Sequence, residues 1–333
     1  MIRGYAIFSR TMRSSDSQLE AHPNQLPESC WNIFRLKTIQ LVAVRNNSRI
    51  FRCSTAEGEL AVKYCLDPTT GRPDPQGARF EFESLQQLTE ASKAAGEVRL
   101  TPVPIGLLGE SGILAMTWES GQPMTRALLS SFGNPQLARD CGAAAGDWLQ
   151  RFHHLHLRPE QISNFQDKLH FVENELEVRG LKGDQLLQHT LVILNKLAAR
   201  AEAVRLPVSW AYGDFKSDNL LVTGTQALAL DVQLLNENSV IHNIVPFLVH
   251  LELLRWSPRG VLNWRGLTQA GESFLAAYSP TTRNWCLPIA WLQAEMLLQR
   301  SIGIARATSI AGRVRRAMIR KALARAVRRM DHA

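Results

Sequence analysis

The chain has 333 residues, of which 45% are hydrophobic and 20% charged, and its formal net charge is +8. These are values of a globular protein, and a chain of this length can bury about 75% of its unfolded surface without a disulfide or metal staple. The five cysteines are scattered and form no Cys-x-x-Cys pair, which argues against a zinc knuckle and for free thiols in a reducing compartment.

The N-terminal segment, residues 1–29, is rich in Ser, Pro and Asn and predicts a flexible tail. It contains arginines but lacks the apolar core of a secretory signal, although a transit peptide stays open. No run in the chain reaches the roughly 18 apolar residues that span a bilayer. These features predict a cytoplasmic protein.

Residues 30–119 predict a small β-rich lobe with one helix. The turn sequences NNS and AEG separate three short alternating or β-branched segments, as in a meander: TIQLVAVR (38–45), RIFRCS (49–54) and ELAVKYCL (59–66). The segment ARFEFESLQQLTEASKAA then has the apolar spacing of a helix. Two further strands are expected near 101–107 and 112–118.

Residues 120–308 predict a larger, helical lobe. Asn134 is a candidate N-cap, and Pro135 would open a helix whose Gly142 and Gly146 let a second helix approach closely. Further helical patterns cover 168–178 and 185–204 and return from about residue 243. A stretch of short strands and turns lies between the last two helical regions.

The last segment, residues 309–333, predicts a basic amphipathic helix. Within it, GRVRRAMIRKALARAVRR carries eight positive charges and no acid. Apolar residues recur between the arginines at helical spacing: Ile319, Leu323, Ala326, Val327 and Met330. Either this stripe docks on the body of the protein, or the helix binds an anionic surface such as acidic lipid headgroups. One charge run without interleaved aromatic residues does not point to nucleic acid.

The stretch SWAYGDFKSDNLLVTGTQALALDVQ (209–233) places two carboxylates and an amide inside a strand-turn-strand pattern. A hairpin of LLV and ALALD would bring the turn that carries Asp214 and Asn219 close to Asp231. Asn219 and Asp231 offer the hard oxygen ligands that suit Mg²⁺, and Asp214 could accept a proton from a hydroxyl group. A base, together with a metal held by Asn and Asp, is the set of parts that phosphoryl transfer needs.

The motifs GDFKSDN and LALD resemble the catalytic and metal loops of the protein-kinase-like superfamily. They are most similar to its aminoglycoside phosphotransferase and choline kinase branch, whose loop reads His-Gly-Asp-x-x-x-x-Asn. The resemblance covers roughly residues 38–255 and implies an α+β, bilobal protein-kinase-like fold, with a small β-rich nucleotide-binding N-lobe and a larger helical C-lobe. It also implies ATP and Mg²⁺ as cofactors of a kinase.

Further residues match this family by position. Lys63 in LAVKYC lies where the family has its phosphate-binding lysine, and Glu81, or its neighbour Glu83, matches the glutamate that pairs with this lysine. Lys216 would contact the γ-phosphate, and His153 matches the histidine of the family's Leu-x-x-Leu-His segment. The resemblance also implies nucleotide contacts from the turn over the phosphates and from the adenine hinge: Asn47, Ser48, Met116 and Trp118.

Several features depart from the family pattern. Tyr212 replaces the histidine before Gly-Asp, Asn243 replaces a structural aspartate, the metal loop reads DVQ, and the turn RNNSRIF has no glycine. These departures keep open an alternative, a catalytically inactive kinase fold that serves as a binding or scaffold module. Only about a dozen residues separate Asp231 from the next helix, and no Ala-Pro-Glu follows, so a small molecule or glycan is favoured over a protein as the acceptor.

The charge of the C-terminal part of the chain restricts the expected class of acceptor further. Residues 232–333 contain five acidic residues against fourteen basic ones. Coulomb attraction therefore argues against a polycationic aminoglycoside, although VENELEVRGLKGD adds four acids before the catalytic loop. We expect a neutral or anionic hydroxyl acceptor, such as an envelope glycan or glycolipid. The basic helix would then hold the enzyme at the inner face of the membrane.

Overall fold

The computed structural model describes residues 26–331 and divides the chain into two compact units between Ser120 and Gly121. The first unit is built on an antiparallel sheet and the second is mainly helical, which confirms the expected α+β class. The predicted tail lies outside the described residues up to residue 25. Its last residues are ordered parts of the first unit, since Leu26 is buried and a helix begins at Glu28.

The first unit contains a five-stranded antiparallel sheet of order β1-β2-β3-β5-β4, against which helix α2 packs. Its elements are α1 Glu28–Ile33, β1 Thr38–Arg45, β2 Ser48–Ser54, β3 Glu59–Cys65, α2 Pro75–Ala94, β4 Pro104–Leu108 and β5 Ile113–Thr117. Phe51, Val62 and Ala115 lie in register across β2, β3 and β5, and all three side chains are buried. Because successive residues of a strand face opposite sides, Lys63 lies on the other face of this central strand.

Helix α2 begins at Pro75, earlier than the apolar period that first shows at Ala78. The Asp74 side chain accepts a hydrogen bond from the backbone N–H of Gly77 at 2.9 Å, and Pro75 occupies the first turn. An Asp N-cap followed by Pro is a strong helix start, because Pro lacks the N–H that would be unsatisfied there. The cap therefore adds a turn that carries no apolar signal in the sequence.

The second unit is a helical body with two small three-stranded sheets, of order β10-β9-β6 and β11-β8-β7. Its helices are α3 Met124–Ser130, α4 Pro135–His154, α5 Gln166–Val178, α6 Gln185–Glu202, α7 Ile241–Arg255, α8 Pro258–Leu262, α9 Trp264–Tyr278, α10 Cys286–Gly303 and α11 Ile310–Asp331. Its strands are β6 Gln122–Pro123, β7 Arg158–Ile162, β8 Arg205–Tyr212, β9 Leu220–Thr223, β10 Gln226–Ala229 and β11 Leu234–Ser239.

Helices α4 and α9 approach each other at two glycines, as the sequence predicts. A Cβ atom at Gly142 would lie 2.0 Å from the carbonyl oxygen of Ala270, and one at Gly146 would lie 2.3 Å from that of Phe274. Neither distance is possible for a side-chain carbon, so only glycine permits this packing. The contact fixes α4, whose penultimate residue His153 lies beneath the predicted catalytic loop described below.

The basic C-terminal helix α11 packs on α10, α6 and α7. Its apolar stripe is buried against them: Ile319, Ala322, Leu323, Ala326, Val327 and Met330. Arg320 also binds Asp184 with its Nη1 atom 2.5 Å from Oδ2. Of the two interpretations of this segment, the structure therefore shows the docked helix. Across residues 26–331 we find no helix with the length and apolar character of a membrane span.

Candidate active site

The hairpin of β9 and β10 brings Asn219 next to Asp231. The two strands pair in register from Leu220 with Ala229 onward, and the backbone N–H of Leu230 donates to the carbonyl oxygen of Asn219 at 2.7 Å. Asp231 follows directly, in the left-handed region with φ of 55°. A non-glycine residue in that region is uncommon and is tolerated best by Asp and Asn. The backbone thus turns sharply at the residue predicted to bind the metal.

The predicted catalytic turn, residues 213–219, holds Asp214 through two donors. Lys216 Nζ donates to Asp214 Oδ2, and the Asn219 side-chain Nδ2 donates to the backbone oxygen and to Oδ2 of Asp214 at 3.0 and 3.1 Å. The amide nitrogen of Asn219 is therefore committed to Asp214, and its amide oxygen is the atom left for a cation. The structure brings together all four residues that the sequence predicts for this loop, Asp214, Lys216, Asn219 and, through the hairpin, Asp231.

Tyr212, which stands in place of the family histidine, binds the backbone of the predicted metal loop. Its hydroxyl donates to the carbonyl oxygen of Leu230, the residue before Asp231. The aromatic ring is buried and packs against both Trp148 and Phe215, at centroid distances of 5.9 and 5.7 Å. The substitution thus keeps a hydrogen-bonded link between the strand before the catalytic loop and the metal loop.

Asn243, which stands in place of the family aspartate, is fully hydrogen-bonded. Its Oδ1 accepts from the backbone N–H of Tyr212 at 2.8 Å, and its Nδ2 donates to the carbonyl oxygen of Trp210 at 2.9 Å and to His153 Nε2 at 2.7 Å. His153 Nε2 must then be the acceptor nitrogen, which leaves the proton on Nδ1, 2.8 Å from the hydroxyl of Tyr278. Burial, and secondly His154, lowers the pKa of His153 to about 3. The network beneath the loop is therefore neutral.

Lys63 and Glu81 form a buried ion pair in the first unit. Lys63 Nζ lies 2.5 Å from Glu81 Oε2, and the two residues are 4% and 3% exposed. Strand β3 and helix α2 position them, and Glu83, the alternative partner, is exposed. A lysine at the centre of a sheet needs such a partner, because an unpaired buried charge is very costly.

The other nucleotide contacts that the resemblance implies have varied surroundings. Ser48 is 1% exposed, and its hydroxyl has no hydrogen-bond partner among residues 26–331, whereas the side chain of Asn47 is exposed. The side chain of Met116 is buried within the first unit. The backbone N–H of Trp118 donates to the carbonyl oxygen of Glu59 at 3.1 Å. That N–H belongs to the sheet, so a nucleotide contact from Trp118 would use its carbonyl or its indole.

Three more side chains surround the catalytic turn without any signal in the sequence. Thr125 Oγ1 in α3 lies 2.7 Å from Ser217 Oγ and 2.6 Å from Asp218 Oδ1. His250 in α7 places Nε2 3.7 Å from Asp218 Oδ2. The third is Arg300 in the last turn of α10, whose pKa is lowered by burial and raised by the charge of Asp214. Each lies far from the loop in sequence, so only the packing of α3, α7 and α10 reveals them.

Solved structures share this fold over most of the chain. A choline/ethanolamine kinase family protein from Mesorhizobium loti matches with a TM-score of 0.56 at 13% identity, covering 89% of this chain and 93% of that one. The aminoglycoside phosphotransferase APH(2")-IIa, solved as a ternary complex with streptomycin and ATP, matches with a TM-score of 0.56 at 14% identity, covering 93% and 97%. The choline kinase LicA from Streptococcus pneumoniae gives 0.53 at 14% identity, covering 90% and 97%.

A comparison with curated protein sequences gives no match. Residues 38–231, more than half of the chain, match the phosphotransferase enzyme family, known by the abbreviation APH. This range contains Lys63, Glu81, Asp214, Asn219 and Asp231. The expected relationship to aminoglycoside phosphotransferases and choline kinases is thereby confirmed, and the chain belongs to the phosphotransferase enzyme family.

Proposed function

We propose that this protein is an ATP- and Mg²⁺-dependent kinase that transfers the γ-phosphoryl group to a hydroxyl of a small molecule or glycan. The observation that carries the proposal is the catalytic turn, in which Asp214 is held by Lys216 and Asn219 while the hairpin brings Asp231 alongside. A base next to two oxygen ligands on a fixed backbone is the arrangement that phosphoryl transfer requires.

Each residue of the loop has a defined role in the proposed reaction. Asp214 orients the acceptor hydroxyl and takes its proton as the acceptor oxygen bonds to the γ-phosphorus and the bond to ADP breaks. Lys216 offsets negative charge on the transferred group. The committed amide nitrogen of Asn219 leaves its oxygen as a hard ligand beside the Asp231 carboxylate, which fits Mg²⁺. When bound, Mg²⁺ neutralises charge on the phosphates.

A site with two protein ligands is consistent with Mg²⁺. No group of three or more His, Cys, Asp or Glu side chains suited to a metal occurs among the described residues. Mg²⁺ retains several waters and is usually held by one or two carboxylates together with substrate phosphates, so a dedicated protein cage is not needed. The residues present therefore suit a metal that arrives with the nucleotide.

Nucleotide binding by the first unit is supported by the Lys63–Glu81 pair. Glu81 keeps Lys63 charged and fixed, so that its ammonium can bind the α- and β-phosphates of ATP. The hydroxyl of Ser48 has no hydrogen-bond partner in the described part of the chain, which supports a polar contact to the nucleotide from the turn that contains Asn47. Met116 and Trp118 are proposed to contact the adenine. ATP is favoured over other nucleotides because a structural neighbour was solved with it.

Most of the acidic residues that could bind a polycation already have a basic partner or a reduced charge. In the C-terminal part of the chain, Glu252 pairs with Arg255 at 2.5 Å and Glu237 with His156 at 2.5 Å. Burial raises the pKa of Glu295 to about 7, which reduces its charge near neutral pH. In the acidic segment before the loop, three of the four acids have basic partners: Glu175 with Arg179, Glu177 with Lys182 and Asp184 with Arg320. This supports a non-polycationic acceptor, such as an envelope glycan or glycolipid.

The exposed positive charge of helix α11 supports contact with an anionic membrane surface, whereas its apolar stripe does not. Its apolar stripe is buried on the body, while Arg313, Lys321, Arg328 and Arg329 are exposed. Headgroup attraction is worth about 1 kcal/mol per basic residue near an acidic surface. Replacing Lys321, Arg328 and Arg329 with Gln should reduce co-sedimentation with phosphatidylserine vesicles, and unchanged co-sedimentation would refute the membrane role and the cytoplasmic-face location derived from it.

The competing function is a catalytically inactive binding module, which Tyr212, Asn243 and the glycine-free turn favour. The hydrogen bonds of Tyr212 and Asn243 weaken it, because both departures keep the catalytic loop supported. The variant Asp214→Ala distinguishes the two functions when ADP release is assayed with a panel of hydroxyl compounds. A kinase loses turnover by about 10²–10⁴-fold without its base, while nucleotide binding persists. The surface variant Asp147→Ala is the matched control.

Turnover that survives Asp214→Ala would remove Asp214 from the base role. Nucleotide binding without turnover in the wild type, over the whole panel, would favour the binding module.

A further inference from the structure

Four large apolar side chains are exposed where the end of helix α3 meets α8 and the start of α9. We call them the apolar patch: Phe132 (68% exposed), Val261 (52%), Leu262 (68%) and Trp264 (47%). Asn263 Nδ2 joins their two chain segments, since it donates to Ser131 Oγ at 2.7 Å and to the carbonyl oxygen of Leu128 at 2.7 Å. Ser131 directly precedes Phe132, and Asn263 lies within the other segment. The exposed side chains therefore come from two segments in direct contact.

Positive charge without acids accompanies the apolar patch. The two segments that form it, residues 120–139 and 253–271, contain five arginines and no Asp or Glu. Two of the arginines have partners in the second unit, since Arg139 binds Gln136 at 2.9 Å and Arg255 binds Glu252 at 2.5 Å. The other three are exposed and form no ion pair within the described part of the chain: Arg126, Arg259 and Arg265. Their charge is therefore available to an anionic partner.

Helix α11 adds further positive charge next to the patch. Trp256 ends α7 and directly precedes Ser257, the N-cap residue of α8. Lys321 of α11 is exposed and places its Nζ atom 5.4 Å from the centre of the Trp256 ring. Helix α11 therefore lies beside the start of α8. Although the apolar stripe of α11 is buried on the body, exposed apolar side chains lie close to its charge.

We propose that the apolar patch inserts into an anionic lipid bilayer, with the nearby arginines and Lys321 at the headgroups. Trp is enriched at the boundary between hydrocarbon and headgroups, and Phe and Leu bury their side chains there. An arginine binds a lipid phosphate with a planar fork of donors. The guanidinium of Arg265 lies 5.5 Å from the ring centre of Trp264, so cation and apolar ring stand side by side. An anionic bilayer matches both features at once.

Several exposed apolar side chains in contact mark an interaction surface, whereas isolated ones are normal on a soluble protein. The charge around the patch distinguishes between possible partners. A second copy of this chain would bring its own arginines against these, because the same segments face each other in a symmetric dimer. An acidic bilayer attracts them instead, by about the same amount for each basic residue near its surface.

Helix α3 connects the apolar patch with the predicted catalytic turn. Near its start, Thr125 Oγ1 lies 2.6 Å from Asp218 Oδ1 of that turn, and at its end Ser131 binds the segment of the patch. Six residues separate Thr125 from Ser131, which is at most about 9 Å along a helix. A headgroup layer is roughly 5–8 Å thick. If the kinase function proposed above holds, its acceptor hydroxyl would then belong to a lipid headgroup, such as that of a glycolipid.

The test measures co-sedimentation of the full-length protein with vesicles of phosphatidylcholine, alone or mixed with phosphatidylserine. The patch variant combines Phe132→Ser and Leu262→Ser, which replace two side chains that are each 68% exposed. The matched control combines Phe171→Ser and Val178→Ser on helix α5, where the two side chains are 52% and 78% exposed. That helix carries four acids and one lysine, so an anionic bilayer should not bind it.

Wild type and control should bind the phosphatidylserine vesicles, and the patch variant should bind them about ten- to a hundredfold more weakly, because two apolar side chains no longer leave water. High salt should separate the two contributions, since it screens headgroup attraction but not apolar insertion. The binding that persists at high salt should be absent from the patch variant. Equal binding by the patch variant and the control, or no binding by wild type, would overturn the proposal.

Quenching of tryptophan fluorescence by brominated acyl chains tests insertion itself. An indole is quenched only when it reaches the acyl region of the bilayer. Wild type should therefore be quenched, and Trp264→Phe, which keeps an apolar ring, should lose most of this quenching while still binding vesicles. Equal quenching of wild type and Trp264→Phe would show that another part of the protein enters the bilayer, which refutes the proposal.

Sedimentation velocity without lipid tests whether the patch binds a second copy instead. A dimer that dissociates in the patch variant, but not in the control, would assign the patch to that contact and refute insertion. Vesicle binding requires neither nucleotide nor turnover, so it is independent of the proposed function. If wild type binds vesicles but not Mg·ATP, the kinase function and its lipid acceptor fail while insertion stands. If wild type binds Mg·ATP but no vesicles, only insertion is refuted.

Discussion

Each unit contains a buried polar cluster, but only that of the first unit is charged. The first cluster is the ion pair of Lys63 and Glu81. The second consists of His153, Asn243 and Tyr212. The ion pair offers an ammonium in a desolvated setting, where its field acts strongly. The second cluster satisfies every side-chain group of Asn243 with neutral partners. It fixes the backbone without adding charge, so the positive charge in contact with Asp214 comes from Lys216. Position and charge are thus supplied by different residues in the second unit.

Breaking the charged cluster should have the largest effect on folding stability. Glu81→Gln removes the carboxylate and leaves Lys63 buried without its counter-charge, which should cost about 3–5 kcal/mol in the free energy of unfolding. Urea denaturation measures this loss. Glu83→Gln, an exposed acid two positions along the same helix, should cost almost nothing. Equal effects of the two substitutions would show that the pair is not the buried ion pair described above.

The neutral cluster should reveal itself through pH. Because the pKa of His153 is lowered to about 3 from about 6.5 in the unfolded chain, the unfolded state binds more protons between these values. Stability from the neutral histidine is therefore full above about pH 6.5 and falls at about 1.4 kcal/mol per pH unit well below it. Replacement of His153 by Gln removes this dependence. The stability difference between wild type and His153→Gln should therefore shift in favour of the variant as the pH falls.

Other buried groups titrate in the same pH range. The quantity to follow is therefore the difference in free energy of unfolding between wild type and His153→Gln. Burial lowers the pKa of His242 to about 3 and raises that of Glu295 to about 7, and these two act in opposite directions. Both are present in wild type and variant and cancel in the comparison. The control is His170→Gln on the surface of α5. A pH-independent difference for His153→Gln would contradict a neutral, buried His153.

The smallest effect expected is that of the Tyr212 hydroxyl. Tyr212→Phe removes the donor to the carbonyl of Leu230 and should lower the free energy of unfolding by about 0.5–1.5 kcal/mol. Because Leu230 precedes Asp231, the affinity for Mg·ATP should also fall, by about two- to tenfold. Tyr64→Phe removes a hydroxyl that has no hydrogen bond in the described part of the chain and should change neither quantity. If Tyr212→Phe alters stability but not Mg·ATP affinity, the hydroxyl does not position the metal loop.

Local sequence signals predict the parts of this molecule that depend on neighbours in the chain. Alternation predicts strands β1 to β3, and the apolar flanks of Lys63 predict that it is buried and needs a carboxylate. The turn residues between β9 and β10 predict the hairpin that joins Asn219 to Asp231. Small residues on α4 predict its close approach to another helix, which proves to be α9.

The parts that depend on distant packing are not visible in the sequence. Strand β11, with the sequence LLNENS, is polar and resembles a loop, yet it pairs with β8 because the buried Leu234 lies opposite Tyr212. His250 resembles a packing residue until α7 brings it to the predicted catalytic turn. Helix α11 shows an amphipathic pattern that cannot tell whether its partner is a membrane or the protein itself.

The most direct test of the proposed kinase site is Mg²⁺-dependent ATP binding, measured by thermal shift on wild type, Asp231→Ala and the surface control Asp147→Ala. We expect ATP to stabilise wild type and the control only with Mg²⁺, by about 2.7 kcal/mol at a hundredfold excess over Kd. Asp231→Ala should lose that Mg²⁺-dependent stabilisation. ATP binding that is absent in wild type, or that is the same with and without Mg²⁺ and in Asp231→Ala, would contradict it.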